Sequence, residues 1–167
     1  MKSMKPLTMV LVGAFLMLVG ATYFAPPAQT VKQTPERPAP PGFEKLAIES
    51  KDGGRHAFWI EIADTREEGE TGLMFREHME PDRGMLFELG RTGVVRFWMK
   101  NTLIPLDMLF IAPDGTIRKI HENAEPKSLK SISSEVSVSA VLEINGGRAK
   151  ALGLSAGDRV VHPYFGR

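Results

Sequence analysis

The stretch Arg96-Phe97-Trp98-Met99-Lys100-Asn101-Thr102-Leu103-Ile104-Pro105-Leu106-Asp107 brings a guanidinium, an indole, an ammonium, an amide and a carboxylate close together in the chain. Side chains alternate along a strand, so Phe97 and Met99 point one way and Arg96, Trp98 and Lys100 the other. Such a face is either the solvated outside of a core strand or the lining of a pocket. Asp107 shares its strand face with Leu109 and Ile111, and a carboxylate beside apolar neighbours needs a partner or a shifted pKa. Glu143 and Asn145 repeat the pattern next to Val141. If that strand end meets the Lys100 turn, the candidate polar cluster is Arg76, Arg96, Trp98, Lys100, Asn101, Asp107, Glu143 and Asn145. It then binds a ligand, or it is an ion-pair network with Arg76 or Arg96 neutralising a carboxylate. Asp107 and Glu143 facing one cavity, with their pKa values pushed apart, would be the acid and base of a hydrolase or transferase acting on envelope polymers.

Other chemistries find little support. Without cysteine there are no disulfides, thiolate metal sites or cysteine nucleophiles. His56, His78, His121 and His162 are scattered, without H-x-H or H-E-x-x-H spacing, so no metal site is expected. No glycine-rich phosphate loop is present, and no cofactor is expected. Gly153-Leu154-Ser155-Ala156-Gly157 matches G-x-S-x-G, but that motif needs a strand before the serine and a helix after it. Here a helical stretch precedes, and Gly157-Asp158-Arg159-Val160-Val161 reads as turn into strand, so a helix-to-strand turn is the better account.

The elements that must position these residues are mostly strands. Phe43 to Glu49 and His56 to Ala63 alternate around the hairpin signal Lys51-Asp52-Gly53-Gly54. Thr65 and Glu68 have capping-box spacing, starting a helix expected to reach about Phe75. Its interior glycines, Gly69 and Gly72, suggest close packing of its backbone on a sheet. Apolar segments at Met85–Leu89, Val94–Met99 and Leu106–Ala112 read as strands. Pro113-Asp114-Gly115 turns the chain into Thr116–His121. A polar loop spans Glu122–Glu135. A long strand follows over Val136–Asn145, then a short helix over Arg148–Leu152 and a last strand over Arg159–Val161. Seven or eight short strands with one or two short helices, not regularly alternating, predict a mainly β fold, a compact antiparallel β-barrel or sandwich.

The domain so defined covers residues 43–167. It carries 17 basic and 19 acidic residues, a balance that argues against a nucleic-acid partner. Ahead of it, Lys2 and Lys5 precede an apolar run from Leu7 to Ala25, the layout of an export signal. At about 19 residues the run is long for a cleaved signal and just long enough to span a bilayer. Residues 1–25 are therefore a signal peptide or an uncleaved N-terminal anchor in the cytoplasmic membrane, with the domain outside it in either case. Residues 26–42 hold six prolines and make an extended linker, which favours the anchor.

The blocks Gly72-Leu73-Met74-Phe75-Arg76, Gly84-Met85-Leu86-Phe87, Phe97-Trp98-Met99-Lys100-Asn101-Thr102 with Pro105-Leu106-Asp107, Val141 to Gly147, and Gly153-Leu154 with Gly157-Asp158 resemble the family called domain of unknown function 192. The resemblance runs from about Phe43 to Val161. It implies an exported or membrane-tethered prokaryotic domain with a compact β-barrel-like fold, and it brings no established catalytic residues. The expected function is a non-catalytic ligand-binding or accessory module of the cell envelope, with a small molecule, a glycan or a protein as ligand.

Overall fold

The computed structural model describes residues 39–166. The expected signal or anchor, residues 1–25, and nearly all of the linker lie outside the described residues. Nine strands and two short helices follow one another as β1 (Glu44–Glu49), β2 (Arg55–Ala63), α1 (Arg66–Thr71), β3 (Arg83–Gly93), β4 (Arg96–Phe97), β5 (Leu106–Ile111), β6 (Ile117–Ala124), β7 (Ile132–Ser133), β8 (Val138–Asn145), α2 (Arg148–Ala151) and β9 (Arg159–Val161). Seven of the strands form one sheet in the order β6-β5-β8-β3-β2-β1-β9, and β4 pairs with β7 in a separate ribbon. The sheet curls into a half-barrel until its edges touch at one end. There Thr116 bridges Arg159 of β9, and the Val160 amide donates to the Gly115 carbonyl at 2.8 Å. Among the described residues no helix is long and apolar enough to cross a membrane.

The mainly β class agrees with the alternation in the sequence, and three details differ. The pairing of β2 with β3 is parallel, Trp59 opposite Arg83 through Ala63 opposite Phe87, because α1 and the loop after it carry the chain back to the same end. Residues 94–99 form a strand only at Arg96–Phe97, since their partner β7 is two residues long and lies in the segment expected to be loop. The burial alternation persists without the strand: Met99 is buried, while Arg96, Trp98 and Lys100 are exposed.

The third difference is α1, which ends at Thr71 rather than Phe75. Its start is the expected one, with Thr65 Oγ1 accepting from the Glu68 amide and the Glu68 carboxylate accepting from the Thr65 amide. Its end is set by Gly72, whose φ of 47° and ψ of −132° are outside the helical region. No residue of α1 is buried, so the helix does not pack its backbone on the sheet as expected. Gly72 alone makes the close approach: a Cβ there would lie 3.1 Å from the ring of Phe87.

Both faces of the sheet are covered. Leu46, Ile48, Phe58, Ile60, Leu86, Leu109, Ile111, Leu142 and Ile144 pack together on one side. Met85, Phe87, Met108, Phe110 and Val141 pack on the other, under Leu73, Met79, Met99 and Ile132. Strands β5 and β8 are central and are buried from end to end but for Asn145, which explains why their sequences are nearly continuous apolar runs. Each run is interrupted by one carboxylate.

Candidate functional site

Those two carboxylates, Asp107 on β5 and Glu143 on β8, are both buried, yet their surroundings have nothing in common. The register places Asp107 opposite Ile144 and Glu143 opposite Met108, so they sit on opposite faces of the sheet. This corrects the acid–base pairing considered from the sequence. One cavity cannot receive both groups.

Asp107 is a structural acceptor. Its Oδ1 takes the amides of Asn123 at 2.7 Å and Gly147 at 2.9 Å, and its Oδ2 takes that of Ala149 at 2.7 Å. Helix α2 opens on Gly147, which has no side chain to cap it. The carboxylate from β5 therefore supplies the cap, accepting amides that a helix start leaves without partners. Arg76 and Asn145 are structural in the same sense. The Arg76 guanidinium binds Glu61 in a bidentate pair at 2.6 and 3.0 Å. The Asn145 amide donates to the carbonyls of Met79 at 3.0 Å and Glu80 at 2.9 Å. Neither reaches Asp107 or Glu143 as the cluster expected from the sequence required.

Glu143 lies between Met85 of β3 and Met108 of β5, its direct cross-strand neighbours. Its carboxyl has no hydrogen-bond or ion-pair partner among the described residues, and burial alone pushes its pKa up to about 8. At neutral pH it is mainly the neutral acid, which carries one donor and free acceptor capacity. Glu143 belongs to the lining of a cavity of about 120 Å³. Arg96, Trp98 and Lys100 line the same cavity, so four of the eight expected residues do meet. Lys100 Nζ stands 5.2 Å from the centre of the Trp98 ring, a cation–π contact that orients both.

The remaining lining comes from segments that no local pattern in the sequence connects. Residues 69–74, from the end of α1 and the turn after it, form one wall. Phe87, Phe97 and Thr102 complete the other, with the rings of Phe87 and Phe97 edge to face at 5.2 Å. Glu70 also lines the cavity, but its exposed carboxylate is taken by Arg66 at 2.8 Å. A glycine at 72 was the available signal for this wall, since the chain must pass close to Phe87 there.

Next to these walls the backbone takes uncommon conformations. Like Asn123 and Glu135 elsewhere in the fold, Phe75, Asn101 and Lys127 adopt positive φ, which is uncommon for residues other than glycine. They are tied together: the Phe75 amide donates to the Asn101 carbonyl at 2.8 Å, and the Lys127 amide to that of Thr102 at 3.0 Å. Asn101, expected to line a pocket, instead uses its backbone to join the walls, while its side-chain amide contacts Met74 Sδ at 3.8 Å. Such conformations persist only where surrounding contacts over-determine them. Among the described residues no group of His, Asp and Glu is placed to hold a metal ion.

Comparison with known proteins agrees with this architecture. The family model for domain of unknown function 192, described as an uncharacterized ACR, matches residues 47–162, and the chain belongs to that family. A solved structure from Sinorhizobium meliloti 1021, described as a "putative transcription regulator", is 47% identical; the match covers 78% of this chain and 99% of that one, with a TM-score of 0.73. A protein of unknown function from Novosphingobium aromaticivorans is 36% identical, covering 75% of this chain and 91% of that one, with a TM-score of 0.70. No curated protein matches the chain.

Proposed function

We propose that this family member is a non-catalytic binding module of the cell envelope, exported or membrane-tethered, that holds a small polar ligand against Glu143. The observation that carries this reading is a buried glutamate, its carboxyl without a partner among the described residues, that lines a cavity instead of being satisfied within the core. A position that needed only packing would hold a third methionine beside Met85 and Met108. An unsatisfied buried polar group has a cost, and a ligand that pairs with it recovers that cost.

The lining specifies the complement. Neutral Glu143 pairs with a hydroxyl or amide, the exposed ring of Trp98 offers an apolar face, and Arg96 and Lys100 favour a negative charge near the mouth. The cavity, about 120 Å³, is smaller than a whole sugar or phospholipid headgroup needs, so one end of the ligand enters and the rest lies across the rim. Acidic amino sugars and glycerophosphates have this combination. The location rests on Lys2, Lys5, the apolar run Leu7–Ala25 and the proline-rich residues 26–42. The acidic balance of the domain gives a nucleic acid no overall attraction, which speaks against a DNA-binding regulator.

The test is an amide-shift titration with N-acetylmuramic acid and with glycerol 3-phosphate. Shifts should cluster at Gly72, Trp98 and Lys100, weaken in Lys100→Ala and vanish in Glu143→Leu while that variant remains folded. Shifts scattered elsewhere, or unchanged in Glu143→Leu, would overturn the binding assignment. Cell fractionation tests the location separately: recovery in the cytosol would overturn that part alone.

A further inference from the structure

Two segments that line the cavity, and a third loop hydrogen-bonded to one of them, expose a second feature that ligand binding does not require. Backbone hydrogen bonds join Phe75 to Asn101, Met99 to Ser128 and Lys127 to Thr102, so residues 72–76, 98–104 and 125–131 form one continuous surface. On it stand Phe75, Trp98, Leu103 and Leu129, exposed by 67, 51, 36 and 69%. Trp98 and Leu129 line a common groove with Arg96, Phe97 and Ser131. Beside them are exposed Arg96, Lys100, Lys127 and Lys130, against Glu77 and Glu125. A domain with more acidic than basic residues thus gathers cations at the place where it exposes its largest apolar side chains.

We propose that this loop surface docks on an anionic lipid bilayer, with the aromatic and leucine side chains entering the headgroup region and the cations meeting lipid phosphates. Exposed Trp, Phe and Leu flanked by Lys and Arg are the composition of an interfacial membrane contact. Charge complementarity favours this partner over others. A nucleic acid would use the cations but leave Phe75 and Leu129 against water and phosphate, and an apolar protein partner would bury four cations with only Glu77 and Glu125 beside them. The backbone hydrogen bonds from Phe75 to Asn101 and from Lys127 to Thr102 tie the loops to one another, so the side chains are presented without first being ordered. Docking would hold the cavity mouth at headgroup level. It does not depend on the ligand assigned to Glu143 or on the N-terminal segment.

The test uses residues 39–167 alone, since a solved relative consists almost entirely of this domain. Trp59→Phe leaves Trp98 as the single indole. With phosphatidylcholine vesicles containing phosphatidylglycerol, Trp98 emission should shift to the blue and be quenched by bromine-labelled acyl chains, with no response to pure phosphatidylcholine. Each of Lys100→Ala, Lys127→Ala and Lys130→Ala should weaken partitioning roughly five-fold at low salt. Phe75→Ser with Leu129→Ser should abolish it while thermal melting stays unchanged, because both side chains are exposed. Vesicle binding indifferent to that double variant would overturn the proposal. So would binding to duplex DNA without binding to vesicles, which gives the surface to nucleic acid, or concentration-dependent dimerisation without vesicle binding, which gives it to a second copy.

Discussion

Replacing Glu143 by glutamine keeps the shape and a hydrogen-bonding end but removes the ionisable group, so it isolates the cost of a buried charge. The unfolded chain releases the Glu143 proton near the ordinary glutamate value of 4.5, whereas the folded chain holds it until about 8. Between those values the native state binds more protons than the unfolded state, so wild-type stability falls as pH rises and levels off above 8. Each pKa unit is worth about 1.4 kcal/mol, which puts the full loss at about 5 kcal/mol and the loss already incurred at pH 7 at about 3 kcal/mol. Glu143→Gln lacks this loss. It should match the wild type at pH 4.5 and exceed it by about 3 kcal/mol at pH 7, a rise in melting temperature of about 10 °C for a domain of this size. Urea unfolding of both proteins from pH 4.5 to 9, fitted with a common m-value, measures the difference directly. A gap that stays constant across that range would refute the reasoning, because it would mean that Glu143 ionises alike in both states. A stabilising substitution at a position facing a cavity is also what a binding site predicts, since wild-type glutamate is then kept for something other than stability.

Asp107→Asn should do the opposite. One carboxylate oxygen becomes a donor facing backbone amides, and with three such bonds at stake the loss should be about 2 to 3 kcal/mol in chemical denaturation, with faster amide exchange through α2. Gly84→Ala should be as damaging without touching any polar group, because its Cβ would lie 2.6 Å from the Glu143 carbonyl oxygen. The expected loss is about 1 to 3 kcal/mol, with amide-shift changes centred on the cavity.

The sheet was legible in the sequence wherever alternation and a turn coincided, as at Lys51-Asp52-Gly53-Gly54 and Pro113-Asp114-Gly115. Strand β7 was not, because two residues have no period to detect, and it exists through tertiary pairing with β4. The parallel β2–β3 pair was hidden for a related reason, since strand direction depends on where the α1 segment returns the chain. Within the site, Asp107 and Glu143 both stood out as carboxylates on apolar faces. Which one faced a cavity depended on register, a property of three strands at once. Gly72, Phe87 and Thr102 carry no chemistry of their own, and only the fold makes them walls.

The seven-stranded sheet also fixes an order of events. Strand β1 pairs with β2 and with β9, so the first strand of the domain shares an edge with the last, and the half-barrel closes through that final segment at Thr116 and Arg159. During synthesis the sheet lacks its outermost strand until the C-terminal residues emerge. Until then β1 keeps one edge unpaired, and the contact of Val160 with Gly115 that closes the half-barrel cannot form.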